Sequence, residues 1–295
     1  MIKILVVVKK FPSTFLNYWF NFLVHFTKMQ INQLLETIRL KYNPEENIIT
    51  IFNLNLHTER LLNSITELNF KINENSEKSL MFFSKDFSNS ALLDKVTKSF
   101  NLTDSNIRTF TGSFNYDNQE KNIYKLRLIY NIGGEIKSEI SLYERFLENN
   151  IIKFTIAKNF KINSEDKKWR HKFFPREEIS LNNLISLETC CDELNTNINH
   201  VNKNIISVQD TNHELIWTNE KDELCEGSFT NIFFRKNNQW LTPHIDSNLL
   251  NGTMRKILIN ELKASEEKCY LNDLISADEI ILCNSMLGKV RGILN

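Results

Sequence analysis

The chain has 295 residues, 36 Lys and Arg against 36 Asp and Glu, a formal net charge of zero, and 41% hydrophobic content. That length supports a large core and raises the expectation of two domains, while balanced charge gives no footprint for nucleic acid or an anionic membrane. A local basic pocket for one phosphate stays open.

Five cysteines (Cys190, Cys191, Cys225, Cys269 and Cys283) are odd in number, two are adjacent, and none stands in C-x-x-C spacing. A disulfide framework and a structural zinc site are both disfavoured. Reduced thiols in a cytoplasmic protein are expected.

Residues 1–8 are apolar apart from Lys3, Lys9 and Lys10 follow, and residues 15–26 are aromatic-rich but broken by Asn17, Asn21 and His25. The second run is too short and polar to span a bilayer, and the Lys9-Lys10 pair follows the apolar run, whereas a secretory signal carries its basic residues before it. A strand and a helix at a domain edge are expected over residues 1–30, with a cryptic targeting peptide as the alternative.

Residues 35–40 and 47–54 read as strands around the Asn43-Pro44 turn, and 57–68 as a helix with Leu61, Leu62, Ile65 and Leu68 on one face. Residues 126–130 and 135–140 flank Gly133-Gly134, a hairpin signal, and 151–157 form another strand. Residues 180–212, made polar by Asn182, Asn183, Asn195, Asn197 and Asn199 among others, read as a polar surface insertion. Strands are then predicted at 214–218, 223–226, 231–234 and 240–242, a helix opening at Gly252 with Met254, Ile257, Leu258 and Leu262 on one stripe, and a final strand at 279–282. The mixture predicts an α/β fold, mixed sheets with helices, in two domains spanning 1–148 and 149–295.

There is no G-x-G-x-x-G, Walker loop, H-E-x-x-H or G-x-S-x-G, and the six His are scattered, so no metal site is expected. In Leu250-Asn251-Gly252-Thr253-Met254-Arg255, a Gly before an amphipathic helix lets backbone approach a ligand, and free N–H groups with the helix dipole favour a phosphate. The plainer reading is a turn. In Glu226-Gly227-Ser228-Phe229-Thr230-Asn231-Ile232-Phe233 the carboxylate is most simply a solvated turn residue; its sharper use is beside a pyridine nitrogen, which it would keep protonated.

These segments occur in one order with Leu241-Thr242-Pro243 and with Ala277-Asp278-Glu279 through Cys283-Asn284-Ser285. Together they resemble the fold-type IV pyridoxal-phosphate family, which includes D-amino-acid and branched-chain aminotransferases and aminodeoxychorismate lyase. Leu35-Glu36-Thr37-Ile38-Arg39 is similar to the family's F-E-T-x-R strand and His57-Thr58-Glu59-Arg60-Leu61 to its H-x-x-R-L helix start, so the resemblance covers roughly residues 31–295. It implies a two-domain, D-amino-acid aminotransferase-like fold and pyridoxal 5'-phosphate as cofactor. It also implies that Arg60, the backbone N–H groups of Thr253 and Met254, and Asn284 or Ser285 surround the phosphate. Taken singly, Arg60 would be an exposed helix charge paired with Glu59 or Asp94, and Asn284 a turn residue.

The cofactor also needs a lysine for its covalent link. His171-Lys172-Phe173-Phe174-Pro175-Arg176 keeps the H-K-x-x-x-R part of the family's H-K-T-T-x-R pattern. Lys172 lies 54 residues before Glu226, more than the family's spacing, so the 180–212 insertion must loop out. The rival is Lys203, only 23 residues before Glu226, and the plain alternative is that Lys172 belongs to a basic surface run with Lys167, Lys168 and Arg170.

Asn251-Gly252-Thr253-Met254-Arg255 and Ile281-Leu282-Cys283-Asn284 look most like the lyase versions, N-G-x-M-R and I-C-N. The resemblance then implies conversion of 4-amino-4-deoxychorismate to 4-aminobenzoate and pyruvate, a step towards folate, with Lys172 as general base once displaced by the substrate amine. An aminotransferase acting on branched-chain or D-amino acids is the second reading, and a degenerate non-catalytic family member the third. A homodimer is implied too, to which the apolar residues Phe15, Tyr18, Trp19 and Phe22 would contribute.

Overall fold

Glu36, Ile38 and Leu40 occupy alternate positions of strand β1 (Gln33–Asn43) and so share one face. Ile38 and Leu40 pack with Ile49 and Ile51 of β2 (Ile48–Phe52) and Leu126 and Leu128 of β4 (Ile123–Asn131), all spaced by two. Helices α1 (Leu54–Glu67) and α2 (Ala91–Phe100) close that face through Leu54 and Val96. Strands β3 (Ile107–Phe110) and β5 (Ile136–Leu142) complete the order β3-β2-β1-β4-β5, and β7 (Phe173–Phe174) pairs with the start of β1. Helix α1 starts three residues before the sequence places it. Asn53 adopts a left-handed conformation (φ 54°), which Asn tolerates, and turns the chain straight out of β2.

This computed structural model describes residues 31–72, 91–174 and 213–295. The strand and helix expected over residues 1–30, the 180–212 insertion, Lys203, Cys190 and Cys191 lie outside them. Gln33–Asn295 forms one compact unit.

The second sheet runs β12-β11-β10-β13-β14-β6-β8-β9. Its strands are β6 (Ile151–Ile162), β8 (His213–Asn219), β9 (Leu224–Gly227), β10 (Asn231–Lys236), β11 (Gln239–Pro243), β12 (Ser265–Glu267), β13 (Glu279–Asn284) and β14 (Gly288–Leu294). Both of its faces are covered, which explains unbroken apolar runs such as Ile232-Phe233-Phe234. Ile232, Phe234 and Leu282 join a core with Phe154, Ile216 and Leu274 of helix α4 (Leu271–Ile275). Phe233 and Cys283, pointing the other way, pack on Met254 and Leu258 of helix α3 (Thr253–Leu262).

The chain passes from the first sheet to the second between β5 and β6. Parallel pairs (β2–β3, β6–β8, β14–β6, β11–β12) stand among antiparallel ones, so both sheets are mixed. Among the described residues, no helix is long and apolar enough to cross a membrane.

One expectation is corrected. The sequence reading ends on the strand at 279–282, but β14 follows, paired antiparallel with β13 and parallel with β6. Two glycines disguise it. Gly288, at φ +68°, makes the tight return from β13, and a Cβ there would sit 2.1 Å from the Phe114 carbonyl oxygen.

Phe234 is wholly buried, whereas Phe146, between β5 and β6, is 69% exposed. Phe234→Ala should cost ~3–5 kcal/mol of unfolding free energy, and Phe146→Ala no more than ~0.5 kcal/mol. Urea midpoints at unchanged m-value check both.

Candidate active site

The two faces of β1 build one wall of the site. On the face toward α1, Glu36 is 2% exposed, and its carboxylate accepts from Arg60 Nε at 2.8 Å and Nη2 at 2.5 Å and contacts His57 Nδ1 at 2.6 Å. Burial alone would raise the Glu36 pKa; Arg60 and His57 overcome it and hold the group at about 2, below its ordinary 4.5. Burial pushes the His57 pKa down despite its contact with Glu36, so the neutral ring donates its Nδ1–H to the carboxylate. Arg60 is therefore not an exposed charge: it is buried on Glu36, while Glu59 accepts from Lys256 at 3.0 Å.

On the opposite face, Arg39 Nη1 donates to the Met286 carbonyl at 2.6 Å, and Ser285 Oγ donates to the Thr37 carbonyl at 2.9 Å. The β13–β14 turn is thereby fastened to β1. Asn284 Oδ1 shapes that turn by accepting from Met286 N at 2.9 Å and Leu287 N at 2.8 Å, and its Nδ2 donates to the Phe229 carbonyl at 3.0 Å.

Lys172 reaches the same place through the backbone. Its carbonyl accepts from Leu35 N at 2.8 Å, and Phe173 and Phe174 continue as β7 along β1. Before it, Trp169 is buried against Phe173 and Trp217, and His171 Nδ1 meets Ser64 Oγ of α1 at 3.0 Å. The half-buried Lys172 lines a cavity of about 240 Å³. All seven residues singled out in the sequence line it: Arg60, Lys172, Glu226, Thr253, Met254, Asn284 and Ser285.

Glu226, in β9, is buried rather than a solvated turn residue, and its Oε2 accepts from Asn231 Nδ2 at 3.1 Å. The turn after it is moulded on Glu214, which is fully buried. Its carboxylate accepts from Ser228 N at 2.7 Å, Thr230 Oγ1 at 2.7 Å, Phe229 N at 3.3 Å and the Ser228 hydroxyl. Burial raises the Glu214 pKa against these donors.

At the start of α3, Gly252 is the N-cap, no side chain caps it, and the first turn carries no acidic residue. The Thr253 hydroxyl oxygen is buried with no hydrogen-bond partner among the described residues. An open helix N-terminus and an orphaned hydroxyl in one cavity suit an anion.

Sequence reasoning missed several lining or supporting residues. Tyr143, Arg145 and Phe229 line the cavity, and Glu214 supports its floor. Tyr143 and Arg145 lie on the connector between the sheets, where no periodicity marks them. The signal for Glu214 was a charge inside an apolar strand, Glu214-Leu215-Ile216-Trp217. Among the described cysteines, Cys225, Cys269 and Cys283 are free and buried. Burial raises the pKa of Cys269 and Cys283 to about 12.

Residues 33–293 match the model of the amino-transferase class IV family, and the chain belongs to that family. Over 84 residues, 28% of this chain, it is 30% identical to a Schizosaccharomyces pombe protein provisionally named aminodeoxychorismate lyase, covering 36% of that protein. Over 83 residues, 26% of this chain, it is 31% identical to a Thermotoga maritima protein provisionally named branched-chain-amino-acid aminotransferase, covering 30% of it. Both matches span about a third of the relative's length.

The fold is similar to that of a Legionella pneumophila protein provisionally named 4-amino-4-deoxychorismate lyase. The TM-score is 0.59 at 17% identity, covering 89% of this chain and 82% of that one. The architecture is thus the α/β, mixed-sheet fold of fold-type IV, and the family is one of pyridoxal-phosphate enzymes acting on small molecules. The residues present fit that cofactor: a lysine, a buried carboxylate and an uncapped helix start with an orphaned hydroxyl face one cavity.

Two outcomes follow from this geometry. The Glu36 pKa is lower folded than unfolded, so its stabilisation is fully present above pH 4.5 and is lost as pH falls toward 2. Glu36→Gln should remove ~3 kcal/mol at neutral pH and flatten that part of the pH–stability curve, measured by denaturant titration at stepped pH. A Cβ at Gly252 would sit 2.1 Å from Asn231 Oδ1. Gly252→Ala should therefore push Asn231 away from Glu226 and weaken cofactor uptake, read by equilibrium dialysis with pyridoxal phosphate.

Proposed function

We propose that this chain is a 4-amino-4-deoxychorismate lyase that forms 4-aminobenzoate and pyruvate, a step towards folate. The observation that carries the reading is a single cavity holding Lys172, Glu226 and the uncapped start of α3. Two stretches contributing to its walls, residues 251–255 and 281–284, are those that resemble the lyase.

Bound pyridoxal phosphate would supply an electron sink for the carbon that loses its proton. Lys172 would hold the cofactor, and its amine would serve as the general base that takes that proton. Glu226 would keep the pyridine nitrogen protonated, and Asn231 orients the Glu226 carboxylate. The Thr253 and Met254 N–H groups and Arg60 would hold the phosphate, beside the turn that Asn284 shapes and Ser285 fastens to β1. The proposal includes a division into domains at residue 148, a homodimer and a cytoplasmic location.

A class IV aminotransferase for branched-chain or D-amino acids is the second reading, favoured by the match to the Thermotoga protein. Supplying purified protein either with 4-amino-4-deoxychorismate or with an amino-acid and keto-acid pair separates the two. Neither activity, with no cofactor uptake, would leave the non-catalytic reading.

Lys172→Ala should abolish the visible absorbance of the bound cofactor and lower turnover by at least ~10²-fold, because one amine both holds the cofactor and moves the proton. Lys203→Ala should change neither. Borohydride reduction with peptide mapping gives the direct test: label on the peptide containing Lys203 would move the role there. Glu226→Ala should keep cofactor binding measurable and lower turnover; unchanged turnover would remove Glu226 from the site.

A further inference from the structure

Tyr143 lines the cavity, and the proposed function gives it no role. The connector that carries it is clamped. Tyr143 N donates to the Ile123 carbonyl of β4 at 2.8 Å. Asn118 Nδ2 donates to the Leu147 carbonyl at 2.6 Å, and its Oδ1 accepts from Leu147 N at 2.9 Å. The Tyr116 hydroxyl donates to the Arg145 carbonyl. The Arg145 guanidinium carbon lies 4.6 Å from the centre of the Phe229 ring, and the guanidinium hydrogen-bonds the Tyr143 phenol. A guanidinium only donates, so in that bond the phenol oxygen accepts and keeps its own proton to give.

The other hydroxyls of the cavity are poorer acids. Those of Ser228 and Thr230 donate to Glu214, and that of Ser285 to the Thr37 carbonyl. Thr37 and Thr253 are alcohols, far weaker acids than a phenol. Burial pushes the Tyr143 pKa up, which keeps the phenol protonated, while the Arg145 charge favours the phenolate that a proton transfer would leave.

We propose that Tyr143 is the general acid of the lyase reaction and that its phenol protonates the oxygen that leaves with pyruvate. This rests on the lyase reading of the cavity. The ring carbon bearing the nitrogen loses its proton to the Lys172 amine, and the electron pair of that C–H bond becomes a ring double bond. The neighbouring C–O bond breaks, and its pair stays on the departing oxygen. The Tyr143 O–H bond breaks as a new O–H bond forms there, giving the enol of pyruvate, which becomes the keto acid in water. Tyr143 then recovers a proton from solvent and Lys172 returns one, so nothing is oxidised or reduced. Arg145 acts through the phenol and is a positioning residue.

The test is Tyr143→Phe, loaded with pyridoxal phosphate and given 4-amino-4-deoxychorismate in deuterium oxide. Pyruvate release should fall about 10²-fold, as expected for loss of a general acid. Substrate recovered part-way should carry deuterium on the carbon bearing the nitrogen, because Lys172 still takes and returns that proton while the C–O bond waits. Cofactor content and urea midpoint should stay at their wild-type values. Arg145→Gln should lower kcat in the wild type but little further in Tyr143→Phe, and Arg145→Lys should recover part of the loss.

Unchanged pyruvate release in Tyr143→Phe overturns the proposal, as does a deuterium exchange that falls in parallel with turnover. Wild-type protein that forms no pyruvate from this substrate overturns the lyase reading, and this role with it.

Discussion

A carboxylate taken out of water must find cations or donors, and Glu36 finds both on one turn of α1. The rest of the site depends on that contact. It locks α1 over β1, and because side chains alternate along a strand, it also determines what the next positions do. With Glu36 turned toward α1, Thr37 and Arg39 face the other way, where they hold the β13–β14 turn through Ser285 and the Met286 carbonyl. Lys172 enters beside the same strand through its backbone bond to Leu35. A slip of one residue in β1 would exchange these faces and dissolve both attachments at once.

Glu214 shows the other way to bury a carboxylate. It meets amide and hydroxyl donors from the Ser228–Thr230 turn, and burial raises its pKa where that of Glu36 is lowered. The consequences differ. The Glu36 pair joins a helix to a strand across the core and strengthens as the carboxylate ionises. Glu214 instead moulds one turn around itself, which explains why residue 227 is Gly: a Cβ there would lie 2.6 Å from the Glu214 carboxyl carbon. One arrangement sets the position of Arg60; the other sets the turn that follows Glu226.

What could be read in the sequence follows the same physics. Strands β1, β2, β4, β10 and β13 are legible because their buried positions alternate or run continuously between turn residues. Arg60, Lys172, Glu226 and Thr253 were found through the ordered motifs, since each alone is an ordinary residue. Glu36 and His57 stood inside those motifs without a role, because nothing local says that a strand carboxylate will meet a helix 21 residues on. Strand β14 was hidden by its glycines. Tyr143 and Arg145 were invisible for a different reason. Their importance comes from a connector held by Asn118 and Tyr116, and such bonds between distant loops leave no period in the sequence.

Asn231 then joins the two ends of the cavity that the proposed function assigns to one cofactor. Its Nδ2 donates to Glu226 Oε2 at 3.1 Å and to the Leu250 carbonyl at 2.9 Å, while its Oδ1 lies against Gly252 at the start of α3. A ring-nitrogen partner and a phosphate partner must stand a fixed distance apart, because the molecule between them is rigid. Two separate loops would let that distance drift, and a misplacement of about 1 Å is enough to cost most of a catalytic advantage. A single amide side chain, buried in β10 and bonded at both ends, removes the drift. It also explains why the segment reads Glu-Gly-x-x-x-Asn and the helix starts with Gly: the carboxylate, the amide and the missing Cβ are three parts of one spacer.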